Sequence, residues 1–159
     1  MTVGDRAEFL QTIRSIAQRH STYIICFNAE NMAGFRHAER AIQYAERSFF
    51  SGKPISNSFE MEALLFAAGS RQCSIAALFG IHEEENAIFV CTYPLNEHIW
   101  EDLSDHMDFV TEKWDEMTQD KEERLRSFFG ITDEELVVVG HARITDLVLE
   151  RLALLEVIR

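Results

Sequence analysis

The stretch at 56–82, S-N-S-F-E-M-E-A-L-L-F-A-A-G-S-R-Q-C-S-I-A-A-L-F-G-I-H, constrains the fold more than any other part of the chain. It is written as two short helices with a hinge between them. Asn57 followed by Glu60 has the spacing of a capping box. Met61, Leu64, Leu65 and Ala68 then recur at i, i+3, i+4 and i+7, the signature of one apolar helix face. Gly69 suits a left-handed helix end, and Ser70 can cap the helix that follows. That second helix is expected to bury Ile75, Leu78 and Phe79 and to stop at Gly80. Arg71 and Gln72 fall in its first turn, where the helix dipole disfavours a cation. Arg71 therefore either pairs with a nearby acid such as Glu62 or Glu60, or meets an anion from outside.

The rest of the chain supplies a frame around this hinge. Residues 5–19 read as an amphipathic helix through Phe9, Leu10, Ile13 and Ile16. The apolar run 22–27 reads as a buried strand, and 28–31 as a loop. A long helix over about 33–51 follows, with Phe35, Ala38, Ile42, Ala45 and Phe49 as its core-facing stripe; Pro54 stops it. A second strand covers 86–93 and ends at Pro94. Residues 95–117 and 119–128 read as surface helices whose buried thread is Ile99, Leu103, Met107 and Val110. Thr132 with Glu135 forms another capping box, the L-V-V-V after it fits a helix end or a third strand, and a last helix runs from about 142 to 158. Few strands among many helices imply an α+β fold, a small and mostly antiparallel sheet covered by several helices. At 159 residues the expected organisation is a single domain over 1–159.

Charge is distributed unevenly. Residues 82–135 hold seventeen acidic and four basic side chains, a net charge of −13, whereas the remaining eleven basic and ten acidic side chains nearly cancel. A polyanion would be repelled by the acidic segment and could approach only the remainder. The same segment also reads as an ordinary solvated face that keeps the protein in solution. No run approaches the roughly 20 apolar residues needed to cross a bilayer. The first residues lack the pattern of a secretion signal, and Cys26, Cys73 and Cys91 sit widely spaced among apolar neighbours. Buried free thiols in a reducing cytoplasm are the expectation.

Catalytic chemistry finds little footing. The six histidines show no metal-ligand spacing with cysteines or acids. Neither a glycine-rich phosphate loop nor a G-x-S-x-G elbow occurs. Neither a catalytic residue, a metal nor a cofactor is expected. The long helix is more suggestive: Arg36, Arg40, Gln43 and Arg47 share one face, His37 and Tyr44 border it, and Lys53 follows its end. Such a stripe can meet successive phosphates while an aromatic or imidazole ring stacks on a base. With Glu39 and Glu46 close by, it equally fits a solvated helix face.

The E-A-L-L-F-A-A-G-S-R-Q-C-S-I-A-A-L-F-G-I block resembles the kinase-binding accessory subunit of the KEOPS complex, the PRPK-binding protein family, with Cys73 where that family leads one to expect Ile. F-G-I-T-D-E-E-L at 129–136 and V-L-E-R-L-A-L-L-E-V at 148–157 resemble it further, so that the likeness spans about the last two thirds of the chain. It implies a non-catalytic, cytoplasmic subunit of the machinery that makes threonylcarbamoyladenosine in tRNA. It would dock the kinase-like subunit and help recruit tRNA by its single-stranded 3′ tail. On that resemblance Ser70, Arg71 and Gln72 contact the tail with Glu62 supporting the arginine, and the basic stripe Arg36, His37, Arg40, Arg47 and Lys53 extends the surface. The kinase would pack on the last helix through Ile144, Val148, Leu149, Arg151, Leu152 and Leu155, a helix whose apolar residues spread over more than one side. The competing reading is an acidic protein-interaction adaptor that binds no nucleic acid.

Overall fold

A computed structural model describes residues 1–111 and 113–158. Its elements run β1 (Thr2–Val3), α1 (Arg6–Arg19), β2 (Tyr23–Asn28), α2 (Phe35–Phe50), α3 (Phe59–Ala68), α4 (Cys73–Ala76), β3 (Glu84–Glu85), β4 (Ile88–Tyr93), α5 (Ile99–Leu103), α6 (Gln119–Phe129), α7 (Asp133–Val139) and α8 (Ile144–Ile158). Both sheets are small and antiparallel: β1 pairs with β3, and β2 pairs with β4. The fold is α+β, as expected, and the L-V-V-V run resolves as the end of α7 rather than as a strand.

The β2–β4 ribbon separates two apolar cores because side chains alternate across a strand. Ile25 and Phe27 of β2 enter the larger core with α2, α3 and α8. Ile24 and Cys26 enter the smaller one, with Ile13, Ile16 and Ala17 of α1 and Ile99 and Leu103 of α5. In the same register Phe27 faces Phe89 and Cys26 faces Val90 across the ladder. Cys26 and Cys91 therefore lie on opposite sides of the ribbon, and burial pushes both thiols up to about 12. Cys73, expected to be buried, is exposed, and all three thiols are free.

Helix starts follow local chemistry. Thr132 and Glu135 make the predicted capping box. Asp5 caps α1 by accepting the Glu8 N–H. At α3 the cap is Ser58, which accepts the Met61 N–H, instead of Asn57. The two candidates are adjacent, and only the entry angle of the loop decides between them. Gly69 ends α3 at φ 60°, as its position predicted. A Cβ there would lie 3.4 Å from the Phe129 ring and 3.5 Å from the Arg151 carbonyl, ordinary contact distances, so it is the left-handed turn that favours glycine.

Two predicted elements differ. Among the described residues of 95–117 a helix forms only over Ile99–Leu103, and 104–111 and 113–118 run irregularly. Ser104, Asp105 and Asp108 compete with the backbone for its own hydrogen bonds, and Val110-Thr111 adds β-branched crowding. Of the expected buried thread, Ile99, Leu103 and Met107 are buried, but Val110 is 72% exposed. The segment is pinned by side chains instead. Trp114 stacks on Phe89 with ring centroids 3.8 Å apart, Lys121 donates to the Trp114 carbonyl, and Asp115 accepts the Phe35 N–H at the start of α2. Secondly, α3 has no single apolar face. Phe59, Ala63, Leu65, Phe66, Ala67 and Ala68 are all buried, while Met61 and Leu64 are only partly so. It is a central helix, packed on α2, α8 and β2.

Candidate nucleic-acid and partner surfaces

Glu62 is the most consequential polar residue of the helical half, and its role differs from the expected one. It is fully buried. Its carboxylate accepts from the Ser48 hydroxyl, from the Ile55 N–H at 2.9 Å, and from the Ser56 N–H and hydroxyl, each at 2.8 Å. A buried carboxylate is tolerable only when so many donors surround it. Glu62 thus ties the end of α2, the 51–58 loop and α3 together. It neither supports Arg71 nor faces a ligand.

His37 is corrected in the same way. Expected on an exposed basic stripe, it is fully buried. The Ala33 N–H donates to Nδ1 at 3.0 Å, and Nε2–H donates to the Ala67 carbonyl at 2.7 Å. These two partners fix the tautomer and seat the first turn of α2 against the last turn of α3. Burial lowers its pKa to about 4, helped by the nearby Lys121 charge and opposed by the Ala67 bond. Tyr44 is buried as well. The inward face of α2 runs through His37, Ala38, Ala41, Tyr44, Ala45 and Ser48. It is turned from the predicted stripe, which leaves Phe35 half exposed. The small residues at 38, 41 and 45 let α3 and α8 approach closely, and this twofold packing sets the rotation.

The remaining cations divide into two groups. Arg36 and Arg40 lie within the first two turns of α2, near the α3–α4 junction that His37 anchors. Arg47 and Lys53 lie at the other end; from Arg36 to Arg47 is about 16 Å along the axis. Arg36 bonds Asp146 at 3.2 Å, and Arg47 lies over the Tyr44 ring at 5.6 Å. The predicted strip is therefore two patches, with Arg47 and Lys53 distant from Arg71.

At the junction itself, Arg71 and Gln72 are exposed and Ser70 is half-buried. The Gln72 N–H donates to the Ser70 hydroxyl at 3.1 Å, which rounds the turn before α4. Among the described residues no hydrogen bond or ion pair holds the Arg71 guanidinium. Leu78, expected in the core, is half exposed, while Phe79 is fully buried.

The last helix overturns the residues assigned to a partner. Ile144, Val148, Leu149, Leu152 and Leu155 are all buried in the protein's own core, facing α2, α3 and α6. Arg151 also serves the fold: Nη2 reaches both Glu135 oxygens at 2.9 Å and Nε donates to the Phe129 carbonyl at 3.1 Å. The Thr132 N–H and Arg151 together hold the Glu135 carboxyl below its usual range. The breadth of apolar residues is explained by three internal neighbours. Outward-facing apolar residues do remain, at Leu154, Val157 (80% exposed) and Ile158 (68%). Periodicity reveals that a helix has several apolar arcs, but not which arc its neighbours cover.

Among the described residues no group of three or more His, Cys, Asp or Glu is arranged to hold a metal ion, and no helix is long and apolar enough to cross a membrane. Comparison with protein-family models and with curated proteins finds no match to this chain.

Proposed function

We propose that this chain is a non-catalytic, cytoplasmic accessory subunit of the KEOPS tRNA threonylcarbamoyladenosine machinery, docking the kinase-like subunit and helping recruit tRNA through its 3′ tail. The observation that carries the tail-binding role is the solvent-facing guanidinium of Arg71 on a turn. The acid that could have neutralised it, Glu62, is committed to Ser48, Ile55 and Ser56. The turn starts at Gly69, beside Phe129 and Arg151 of its neighbours. Arg71 would stack on or ion-pair with a splayed nucleotide, and the Gln72 side chain would reach a base edge. Arg40 supplies adjoining charge, Arg36 being ion-paired with Asp146, and His37 holds the end of α3 from inside. Each stacked base would contribute about 1–3 kcal/mol. The kinase-like subunit docks on the exposed arc of α8, Leu154, Val157 and Ile158, in place of the buried arc.

Gel shifts with tRNA carrying or lacking its 3′ end test this reading. Arg71→Glu should weaken binding of the intact tRNA by at least tenfold at matched salt, with no effect on the tRNA lacking its tail. Equal affinity of wild type and variant would remove the nucleic-acid role. It would leave the second reading, an acidic adaptor, which the net charge of −13 over 82–135 favours. Leu154→Asp should abolish co-purification with the kinase-like subunit while leaving the thermal midpoint nearly unchanged; retained co-purification would reject this docking face.

A further inference from the structure

The outer edge of β4 is an unpaired strand edge in a cleft with acidic residues on its rim. The Ala29 N–H donates to the Ala87 carbonyl at 2.9 Å, which marks 29 and 87 as a hydrogen-bonded pair of the β2–β4 ladder. Such pairs alternate in an antiparallel ladder. Phe89, Cys91 and Tyr93 therefore bond to β2, while Ile88, Val90 and Thr92 aim their N–H and C=O groups the other way. β4 pairs with β2 alone, and among the described residues these outward groups have no backbone partner. A cleft of about 700 Å³ opens beside Ile88 and Val90, lined by Ile88, Phe89 and Val90 in succession. Consecutive strand residues point to opposite faces, so a cleft that touches all three runs along the edge. Trp100, Met107 and Trp114 give it an apolar and aromatic wall, Trp114 being stacked on Phe89 itself; Asp108 and Glu85, the latter ion-paired with the Met1 ammonium at 2.9 Å, are its acidic residues.

We infer that this edge receives an extended, basic peptide segment of a partner protein, added as a third strand to the β2–β4 ribbon. Backbone bonds to Ile88 and Val90 supply the register, and the aromatic wall takes every second side chain. Charge selects the occupant. The cleft lies within the segment of net charge −13, with exposed Glu83 and Glu84 beside it. A nucleic acid is repelled there, and a second copy would bring the same negative rim against the first. Alternating Lys or Arg with Val or Ile meets both the rim and the wall. The site is separate from the Arg71 turn and independent of the function proposed for it.

The test uses the full chain and a labelled synthetic peptide of about eight residues, alternating Lys or Arg with Val or Ile, followed by fluorescence anisotropy. Saturable binding that weakens as salt rises is expected, with no binding by the same peptide carrying Glu in place of its cations. N-methylating alternate peptide amides should weaken binding by about tenfold or more, the loss of one or two ladder bonds. Val90→Pro removes an outward N–H without touching the bonds to β2 and should abolish binding; if that variant fails to fold, the N-methylated peptide on the wild-type protein decides. Arg71→Glu should leave peptide affinity unchanged. Equal binding of the methylated peptide, or no saturable binding of the parent, overturns the inference. So does a dimer in sedimentation that Val90→Pro dissolves, since the edge would then belong to a second copy.

Discussion

On one side of the β2–β4 ribbon, α2, α3 and α8 are packed so tightly that even their polar groups are locked. On the other, α1 and α5 close a smaller core, and an open cleft runs beside β4. The difference begins in composition. The helical side has alanines at 38, 41, 45, 63, 67 and 68, which bring helix axes together, and phenylalanines at 59, 66, 79 and 129, which fill the remaining space. A backbone that close leaves no room for water, so Glu62 and His37 must find protein partners, and each does. In the acidic segment after α5, like charges and helix-poor residues keep the chain from regular packing, and Trp114, Asp115 and Lys121 tie it back to Phe89 and to the start of α2 instead. Rigidity on one side and an open edge on the other suit different tasks: a fixed turn for a ligand, and a strand edge for a partner.

The contrast predicts unequal responses to mutation. The largest effect of a substitution should come from Glu62→Ala, which strands the donors of buried Ser48 and of half-buried Ile55 and Ser56; a loss of about 3 kcal/mol in urea unfolding is expected. A loss below about 1 kcal/mol would mean that water reaches this carboxylate and that the helical side is no tighter than the other. Next comes pH. His37 titrates near 6.5 when unfolded and is lowered to about 4 in the folded protein. Above pH 6.5 it is neutral in both states and contributes no pH dependence. As pH falls from 6.5 toward 4 the unfolded chain takes up the proton and the native one does not. Stability should therefore decline by about 1.4 kcal/mol per pH unit, roughly 3 kcal/mol over the window. In His37→Gln that portion of the pH slope should vanish, and an unchanged slope would assign the acid sensitivity elsewhere. The smallest effect belongs to the open side: Val110→Ser, at a residue 72% exposed, should shift stability by no more than about 0.5 kcal/mol. A larger loss would show that Val110 packs more closely than its exposure indicates.

Much of the fold is legible from local sequence. The α1, α2 and α8 spans, both six-residue strands, the Thr132 cap and the left-handed Gly69 end rest on side-chain periodicity and capping, which act within a turn or two. The candidate site is legible only in part. Arg71 and Gln72 do lie exposed at a turn, because a glycine followed by polar residues breaks a helix wherever it occurs. The stripe through Arg36, His37, Arg40, Arg47 and Lys53 is less so, since helix periodicity fixes relative angles but not the direction that faces inward. With α3 and α8 both against α2, His37 and Tyr44 turned in and the cations split between two ends.

By itself, the order of residues settled which segments coil, which extend, and that negative charge gathers in one third of the chain. Only packing in three dimensions decided that Glu62 serves as an internal tie, that six apolar residues of α8 look inward, and that one edge of β4 stays bare. The physical reason is range. Capping and periodicity work over a few residues, whereas burial of a carboxylate or exposure of a strand edge depends on neighbours brought from distant parts of the chain.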